Sequence, residues 1–192
     1  DLTMHVEIAL RNGWGMGLDY VTGRYYELDS EYNPAMVAGY FQTDVSRRIW
    51  ASVSVSSSQS YNYNRDFIGR SEYISWYASW RPASRWSIYA NGSAWIERDP
   101  GGHIADITYR IRPGVQFSLI DGMNLSVYEE IPITKNTGIF SLRTGISFSY
   151  NFLPKSWLLI AYNDYQWRDA DDHRYHPQQR VFAAKIRHLF SW

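Results

Sequence analysis

Hydrophobic and polar residues alternate one by one along most of this chain. In the first segment every second position is apolar, namely Leu2, Met4, Val6, Ile8 and Leu10. The same period of two holds between positions 107 and 119 and between positions 140 and 152. A strand points successive side chains to opposite faces, whereas a helix would spread these apolar residues around its circumference. The pattern therefore predicts strands with one apolar and one polar face.

About eleven such strands follow one another, each of about ten residues, the length that a tilted strand needs to cross a bilayer. They lie near 2–11, 14–26, 35–44, 49–60, 71–81, 85–97, 104–119, 123–132, 139–152, 156–167 and 180–192. Short turns alternate with longer links, and the longer ones are 27–34, 59–70, 98–103, 133–138 and 168–179. This asymmetry is typical of outer-membrane barrels. We predict an all-β, antiparallel transmembrane β-barrel over residues 1–192.

Aromatic residues make up 17% of the chain, with 16 Tyr and 9 Trp. Amphipathic rings of this kind are enriched where a protein crosses the membrane–water interface. Six Trp residues lie at strand ends that meet the short turns or the C-terminus. They predict a membrane-interface girdle of Trp14, Trp50, Trp80, Trp86, Trp157 and Trp192.

Charged residues occupy the strand face opposite the apolar one. Because such charges are costly in hydrocarbon, we expect them to face a polar lumen. The predicted lumen-facing residues are Glu7, Arg11, Asp19, Arg110, Arg112, Arg143, Lys185 and Arg187. The cations among the last five strands suggest a preference for anionic or sugar-like solutes, and a closed network that fills the interior is the alternative. Either Glu129 or Glu130 must lie on the apolar side, which suggests a rim.

The last predicted strand ends in the aromatic residue Trp192, with Phe182, Ala184 and Ile186 on one face. This resembles the terminal signal by which outer-membrane barrels are recognised for assembly, and it predicts a periplasmic C-terminus in the bacterial outer membrane. Single-chain bacterial barrels have an even number of strands. The odd count therefore predicts that the chain is the C-terminal portion of a larger even-stranded barrel.

Several strand–turn–strand stretches carry a family resemblance. They are FQTDVSR at 41–47, YASWRPAS at 77–84, SYNFLP at 149–154 followed by LIAYND at 159–164, and RVFAAKI at 180–186. From about Tyr32 onward the chain resembles the C-terminal barrel of a family of large envelope proteins of unknown function. In that family a carbohydrate-binding-like domain precedes the barrel. The resemblance implies an N-terminal periplasmic domain upstream, and no catalytic residue is carried over from it.

The candidate chemistry is sparse. The loop at 168–179 combines carboxylates and imidazoles that could hold a divalent cation such as calcium, namely Asp169, Asp171, Asp172, His173 and His176. No defined metal motif matches this spacing, so a solvated polar loop is the alternative and no metal site is assigned. The chain has no Cys and so offers no thiolate chemistry. Its net charge is zero, so no basic excess points to nucleic acid. No nucleophile elbow or triad stands out, so we predict neither an enzyme nor a cofactor.

The sequence thus favours an integral outer-membrane barrel that acts as a membrane anchor, a polar passage or a component of a cell-envelope assembly. Its expected partners are membrane lipid or lipopolysaccharide and envelope proteins, without nucleic acid. Two alternatives remain open. One is a soluble all-β module that binds glycans through its aromatic rims, with Phe140, Ile146 and Phe148 packed against a second sheet. The other is an outer-membrane hydrolase.

Overall fold

The chain is built from strands. The structure, a computed structural model, describes residues 2–11, 13–27, 30–32, 35–46, 48–62, 66–154 and 156–188. The strands are β1 (Leu2–Ala9), β2 (Gly15–Thr22), β3 (Tyr25–Glu27), β4 (Ser30–Tyr32), β5 (Met36–Ser46), β6 (Ile49–Asn62), β7 (Phe67–Ala83), β8 (Trp86–Arg98), β9 (Ile104–Ile120), β10 (Met123–Thr134), β11 (Gly138–Ile139), β12 (Ser141–Leu153), β13 (Ser156–Arg168) and β14 (Tyr175–Arg187). In these ranges no helix is long and apolar enough to cross a membrane.

The main sheet follows the order of the chain. Its neighbours are β1-β2-β5-β6-β7-β8-β9-β10-β12-β13-β14, with β11 beside β10, while β3 and β4 form a separate hairpin. The registered pairs are antiparallel. The predicted all-β antiparallel fold is confirmed, and the strands on this path correspond to the predicted segments. The chain divides into two compact units, described separately below: unit 1 (1–78, 91–109 and 134–136) and unit 2 (79–90, 110–133 and 137–192).

Three predicted links differ from the observed ones. The link at 59–70 is shorter, because β6 continues to Asn62 and β7 begins at Phe67. β14 begins at Tyr175, which leaves a loop at 169–174. The β3–β4 hairpin takes up the end of the predicted strand at 14–26 and part of the link at 27–34, because β2 ends at Thr22. Strand pairing extends past the alternating segments because each added pair satisfies backbone hydrogen-bonding groups. Trp192, the end of the last predicted strand and the turn residues Asn12, Arg47 and Lys155 lie outside the described residues.

The registers of unit 1 separate an apolar from a polar face. Val6 lies opposite Leu18, which lies opposite Gly39, and Ile8 pairs with Met16, which pairs with Phe41. Directly opposed residues of a sheet share a face. The other face carries the pairs His5–Asp19, Glu7–Gly17, Gly17–Tyr40 and Tyr40–Ser54. Two-residue alternation thus sorts these strands as the sequence predicts.

In unit 2 the apolar face consists of regular rows across β10, β12, β13 and β14. The rows are Val127–Ile146–Tyr162–Phe182, Leu125–Phe148–Ile160–Ala184 and Met123–Tyr150–Leu158–Ile186. These rows are the continuous apolar surface that a lipid-facing wall requires.

Apolar side chains of this protein are exposed. Leu18 is 53% exposed, Ile146 39% and Phe182 70%, and no hydrophobic residue in the described ranges is buried. A soluble sandwich would bury Ile146 against a second sheet, because burial of apolar surface is what stabilises such a fold in water. That expectation of the glycan-binding alternative is wrong for Ile146. The exposed stripe needs hydrocarbon or a partner to cover it.

Candidate functional site

The candidate site is the polar face of unit 2, which we define as the side of β10, β12, β13 and β14 opposite the apolar rows. Two adjacent rows form its centre. The first is Glu130–Arg143–Tyr165–Gln179 and the second is Tyr128–Gly145–Asn163–Val181. Because register brings these residues from four strands to one surface, they form a continuous patch of charged, amide and aromatic groups.

Cations dominate this face. Arg143, Lys185 and Arg187 belong to it by register. Arg112 joins them, because its Nη1 lies 3.9 Å from Glu130 and its guanidinium lies over the Tyr128 ring. Alternation along β9 places Arg110 on the same side as Arg112. The registered strands of unit 2 carry one acid, Glu130, on this face.

Aromatic rings support three of these arginines. The guanidinium carbon lies 3.7 Å from the ring centroid of Tyr128 for Arg112, 5.6 Å from that of Tyr165 for Arg143, and 5.7 Å from that of Trp157 for Arg187. A ring attracts a cation through its negative face without neutralising the charge. The rings thereby hold Arg143 and Arg187 in position, and Arg112 in addition has Glu130 Oε2 3.9 Å from its Nη1.

Tyrosines lie flat against the polar wall where the neighbouring strand has glycine. A Cβ at Gly145 would overlap the Tyr128 ring, and a Cβ at Gly114 would overlap the Tyr89 ring. The Tyr128 hydroxyl donates to Asn163 Oδ1 at 3.1 Å, which fixes the ring across the wall. Gly17 and Tyr40 repeat the arrangement in unit 1. Sequence reasoning missed these pairs because the two members are distant in the chain.

The polar face of unit 1 has a different character. Its predicted lumen residues Glu7 and Asp19 both contact His5, with His5 Nδ1 2.6 Å from Asp19 Oδ1 and His5 Nε2 3.7 Å from Glu7 Oε2. The Tyr40 hydroxyl also donates to Glu7. His5 is isolated in the sequence, and pairing of β1 with β2 brings it to the acids. Arg11 is exposed just beyond β1 and is outside the registered pairs.

The predicted tryptophan girdle is divided between the two faces. Trp14 packs edge-on against Phe41 of the apolar face, with centroids 5.3 Å apart, and Trp86 packs against Phe117 at 4.3 Å. Trp80 is exposed near the end of β7. Trp157 instead lies opposite Arg187, on the polar face.

Trp50 is the second of these tryptophans that lies on the polar face. It alternates with Ser52 and Ser54, and Ser54 lies opposite Tyr40 on the polar face. Trp50 and Trp157 therefore lie on the polar face, and the girdle formed by the six tryptophans stays a prediction. The apolar residues Val53 and Val55 at odd positions of β6 already indicate that Trp50, at an even position, lies on the polar face. The uninterrupted apolar run at 157–161 gives no such indication for Trp157.

A row of polar residues borders the apolar rows of unit 2, at the end of the strands that leads to the longer loops. It consists of Glu129–Thr144–Asp164–Arg180. Thr144 Oγ1 donates to Glu129 Oε2 at 2.6 Å, and Arg180 Nε donates to Asp164 Oδ1 at 3.3 Å. Glu129 is therefore the glutamate on the apolar side, and its row accounts for the rim that the sequence suggests.

The loop between β13 and β14 brings together some of the candidate metal ligands. Ligand atoms of Asp169, Asp172 and His176 lie within 4.8 Å of one another, all exposed, while Asp171 and His173 are not part of this group. The backbone N–H of Arg174 donates to Asp172 Oδ1 at 2.8 Å and lowers the pKa of that carboxyl, with a further lowering from the hydrogen bond to His176. Hydrogen bonds within the loop thus employ the Asp172 oxygens.

Two cavities in unit 2 are lined by arginine and neutral polar side chains. One of about 260 Å³ is lined by Arg143, Asn163, Tyr165, Gln179 and Val181. The other, of about 200 Å³, lies near the turn between β7 and β8 and is lined in part by Arg81, Arg85 and Gln116. Each cavity combines guanidinium with neutral hydrogen-bonding groups, which is an arrangement suited to an anionic solute.

Comparison with known proteins supports the fold. No family model and no curated protein matches the chain. An anion-selective porin from Comamonas acidovorans matches with a TM-score of 0.73 and 11% identity, over 95% of this chain and 54% of the porin. The outer membrane channel DcaP of Acinetobacter baumannii matches with a TM-score of 0.71 and 10% identity, over 96% of this chain and 62% of the channel. The chain therefore has the β-barrel fold of outer-membrane channels and spans between half and two thirds of their length.

Proposed function

We propose that the chain forms part of a bacterial outer-membrane channel whose polar face lines a passage with a preference for anions. The observation that carries this proposal is the charge on that face in unit 2. Arg112, Arg143, Lys185 and Arg187 lie there with the single acid Glu130. A passage lined by one sign of charge concentrates counter-ions of the opposite sign.

Two further features support a passage rather than a filled interior. Arg143 and Arg187 rest on aromatic rings, and Arg112 combines a ring with the carboxylate of Glu130, so a closed salt-bridge network does not account for the cations of this face. The tyrosines lie flat over glycines and so project little from the wall. One of the similar structures is itself described as an anion-selective porin, which agrees with this proposal although its sequence identity of 11% carries no residue-level inference.

The proposal includes the surroundings of the channel. The apolar rows face hydrocarbon, and the row from Glu129 to Arg180 faces the headgroups of lipid or lipopolysaccharide. The C-terminus is periplasmic, and the chain is the C-terminal portion of a larger barrel from the envelope-protein family that it resembles. In that protein the barrel anchors an N-terminal periplasmic domain and serves envelope partners. The channel binds no nucleic acid and has neither a cofactor nor enzymatic activity.

Conductance in planar bilayers tests the proposal. The full-length protein that contains this chain, extracted in detergent and migrating on a gel in a heat-modifiable manner, is expected to conduct with a reversal potential on the anion-selective side in a KCl gradient. The triple variant Arg143→Gln, Lys185→Gln, Arg187→Gln should shift this potential toward cation selectivity. Cation selectivity of the unaltered channel, or a monomeric chain soluble without detergent, contradicts the proposal.

A further inference from the structure

The cavity between β12, β13 and β14 is lined by amide, aromatic and apolar side chains as well as by a cation. Register places Arg143, Tyr165 and Gln179 in one row, and Asn163 and Val181 in the next row of the same face. Together they line the cavity of about 260 Å³. The cavity thus offers one cation, two amides, one aromatic ring and one apolar side chain.

Each polar group in the cavity has hydrogen-bonding capacity left. Asn163 uses Oδ1 to accept from Tyr128, so its Nδ2 donors point away from that bond. Glu130 is the cross-strand neighbour of Arg143, but no carboxylate in the described residues lies within ion-pair distance of Arg143, whose guanidinium carbon is 5.6 Å from the Tyr165 ring centroid. A guanidinium has five donors in a planar fork that suits a carboxylate. The N–H donors of Arg143 and Asn163 can therefore bind a solute that carries hydrogen-bond acceptors.

The strand geometry positions Gln179 for this role. The register between β13 and β14 shifts between Tyr165 and Gln166, because Tyr165 pairs with Gln179 whereas Gln166 pairs with Pro177. Gln178 is therefore the extra residue of a β-bulge. Bulges redirect neighbouring side chains and commonly lie next to binding sites. Pro177, which has no N–H to donate, is tolerated at such an irregularity.

We infer that this cavity is a subsite for a carboxylated sugar of one ring. The inference deepens the proposed channel function and rests on it, because it names the solute class that the passage favours. Arg143 binds the carboxylate through paired N–H donors, and Asn163 and Gln179 bind hydroxyls. The negative face of the Tyr165 ring packs against the C–H side of the sugar. A single guanidinium matches a single negative charge, and a cavity of about 260 Å³ has room for one sugar ring.

Binding to the unaltered full-length protein in detergent micelles gives the first test. Saturation-transfer NMR compares three compounds. D-glucuronate has both a sugar ring and a carboxylate, D-glucose has the ring alone, and acetate has the carboxylate alone. D-glucuronate is expected to bind at least about tenfold more tightly than either of the others. Equal binding of acetate and D-glucuronate overturns the inference, because the ring then contributes nothing.

Variants locate the subsite. Arg143→Gln should weaken D-glucuronate binding about 10- to 100-fold and leave D-glucose binding within about twofold. Arg180→Gln, which removes a guanidinium from the opposite face, is the matched control and should change D-glucuronate binding by less than about twofold. Equal weakening by the two variants overturns the subsite in favour of diffuse charge. Anion-selective conduction without D-glucuronate binding contradicts the subsite alone, whereas D-glucuronate binding by a non-conducting chain contradicts the channel.

Discussion

The ring of Tyr128 lies directly over Gly145 of the neighbouring strand, in the space that a Cβ at position 145 would occupy. This contact lets the ring lie along the wall and carry the Arg112 guanidinium on its exposed face, 3.7 Å from the ring centroid. The tyrosine hydroxyl continues the chain of contacts to Asn163 in the candidate subsite. One glycine thus supports both the arrangement of charge and the position of an amide.

Substitution of Gly145 tests this contact. A Gly→Ala change inside a strand ordinarily stabilises a protein by about 0.5–1 kcal/mol. Gly145→Ala should instead lower the free energy of unfolding by about 1–3 kcal/mol, because the new methyl group displaces the Tyr128 ring. Urea unfolding in micelles, followed by Trp fluorescence, measures the difference.

Gly39→Ala is the matched control for this experiment. The nearest atoms to a Cβ at Gly39 are 3.7 Å and 3.9 Å away, which is ordinary van der Waals contact. We expect this variant to be neutral or stabilised. A stabilised Gly145→Ala variant would show that Tyr128 moves aside at no cost.

Glu130 and Glu129 are neighbours on opposite faces, and they should differ in their effect on selectivity. Glu130 lies 3.9 Å from Arg112 on the polar face, whereas Glu129 accepts a hydrogen bond from Thr144 on the apolar face. Glu130→Gln removes the acid beside the cations, so the reversal potential in a KCl gradient should move further to the anion-selective side. Glu129→Gln should leave it unchanged. Equal shifts in the two variants would contradict the assignment of the faces.

Cysteine substitution tests which face meets water. The chain has no Cys, so a single introduced thiol reports one position. Ser147 on the polar face and Ile146 on the apolar face are adjacent residues of β12. In vesicles, Ser147→Cys should react readily with a charged methanethiosulfonate reagent, and Ile146→Cys should react at least about tenfold more slowly because lipid excludes the reagent. Comparable rates, with both thiols reactive after unfolding, would rule out a lipid-facing apolar side.

The loop carboxyl of Asp172 should titrate below its ordinary range. The Arg174 N–H bond is the larger cause of its lowered pKa and the His176 bond the smaller. Because the pKa is lower in the folded loop, the stabilisation is complete above the ordinary carboxyl pKa of about 3.9 and is lost as the pH falls through the lowered value. The Arg174 amide proton shift, followed by NMR against pH, should have its midpoint below about 3.9.

His176→Gln separates the two causes of this shift. The variant should raise the midpoint but leave it below the ordinary value, since the Arg174 bond remains. A midpoint in the unaltered chain at or above the ordinary carboxyl value would mean that the Asp172–Arg174 bond does not form in solution.

Local alternation determined much of what this protein is. A period of two is a property of adjacent residues, so the strands and the membership of Arg143, Lys185 and Arg187 in a polar face followed from the sequence. The same logic placed the tryptophans near strand ends. It assigned no face to Trp50 and Trp157, because position relative to a turn gives the level of a side chain and not its side of the sheet.

Pairing between strands decided the rest. The row Arg143–Tyr165–Gln179 joins residues from three strands, and only the hydrogen-bonded register specifies which residues lie side by side. The bulge at Gln178 also reverses the alternation within β14, so that His176 and Gln179 reach the same face despite their odd spacing. The contacts of Tyr128 with Gly145 and Arg112 arise in the same way. The sequence alone therefore identifies a polar wall, and the tertiary structure assembles its charges, rings and amides into a site because register is a relationship between distant segments.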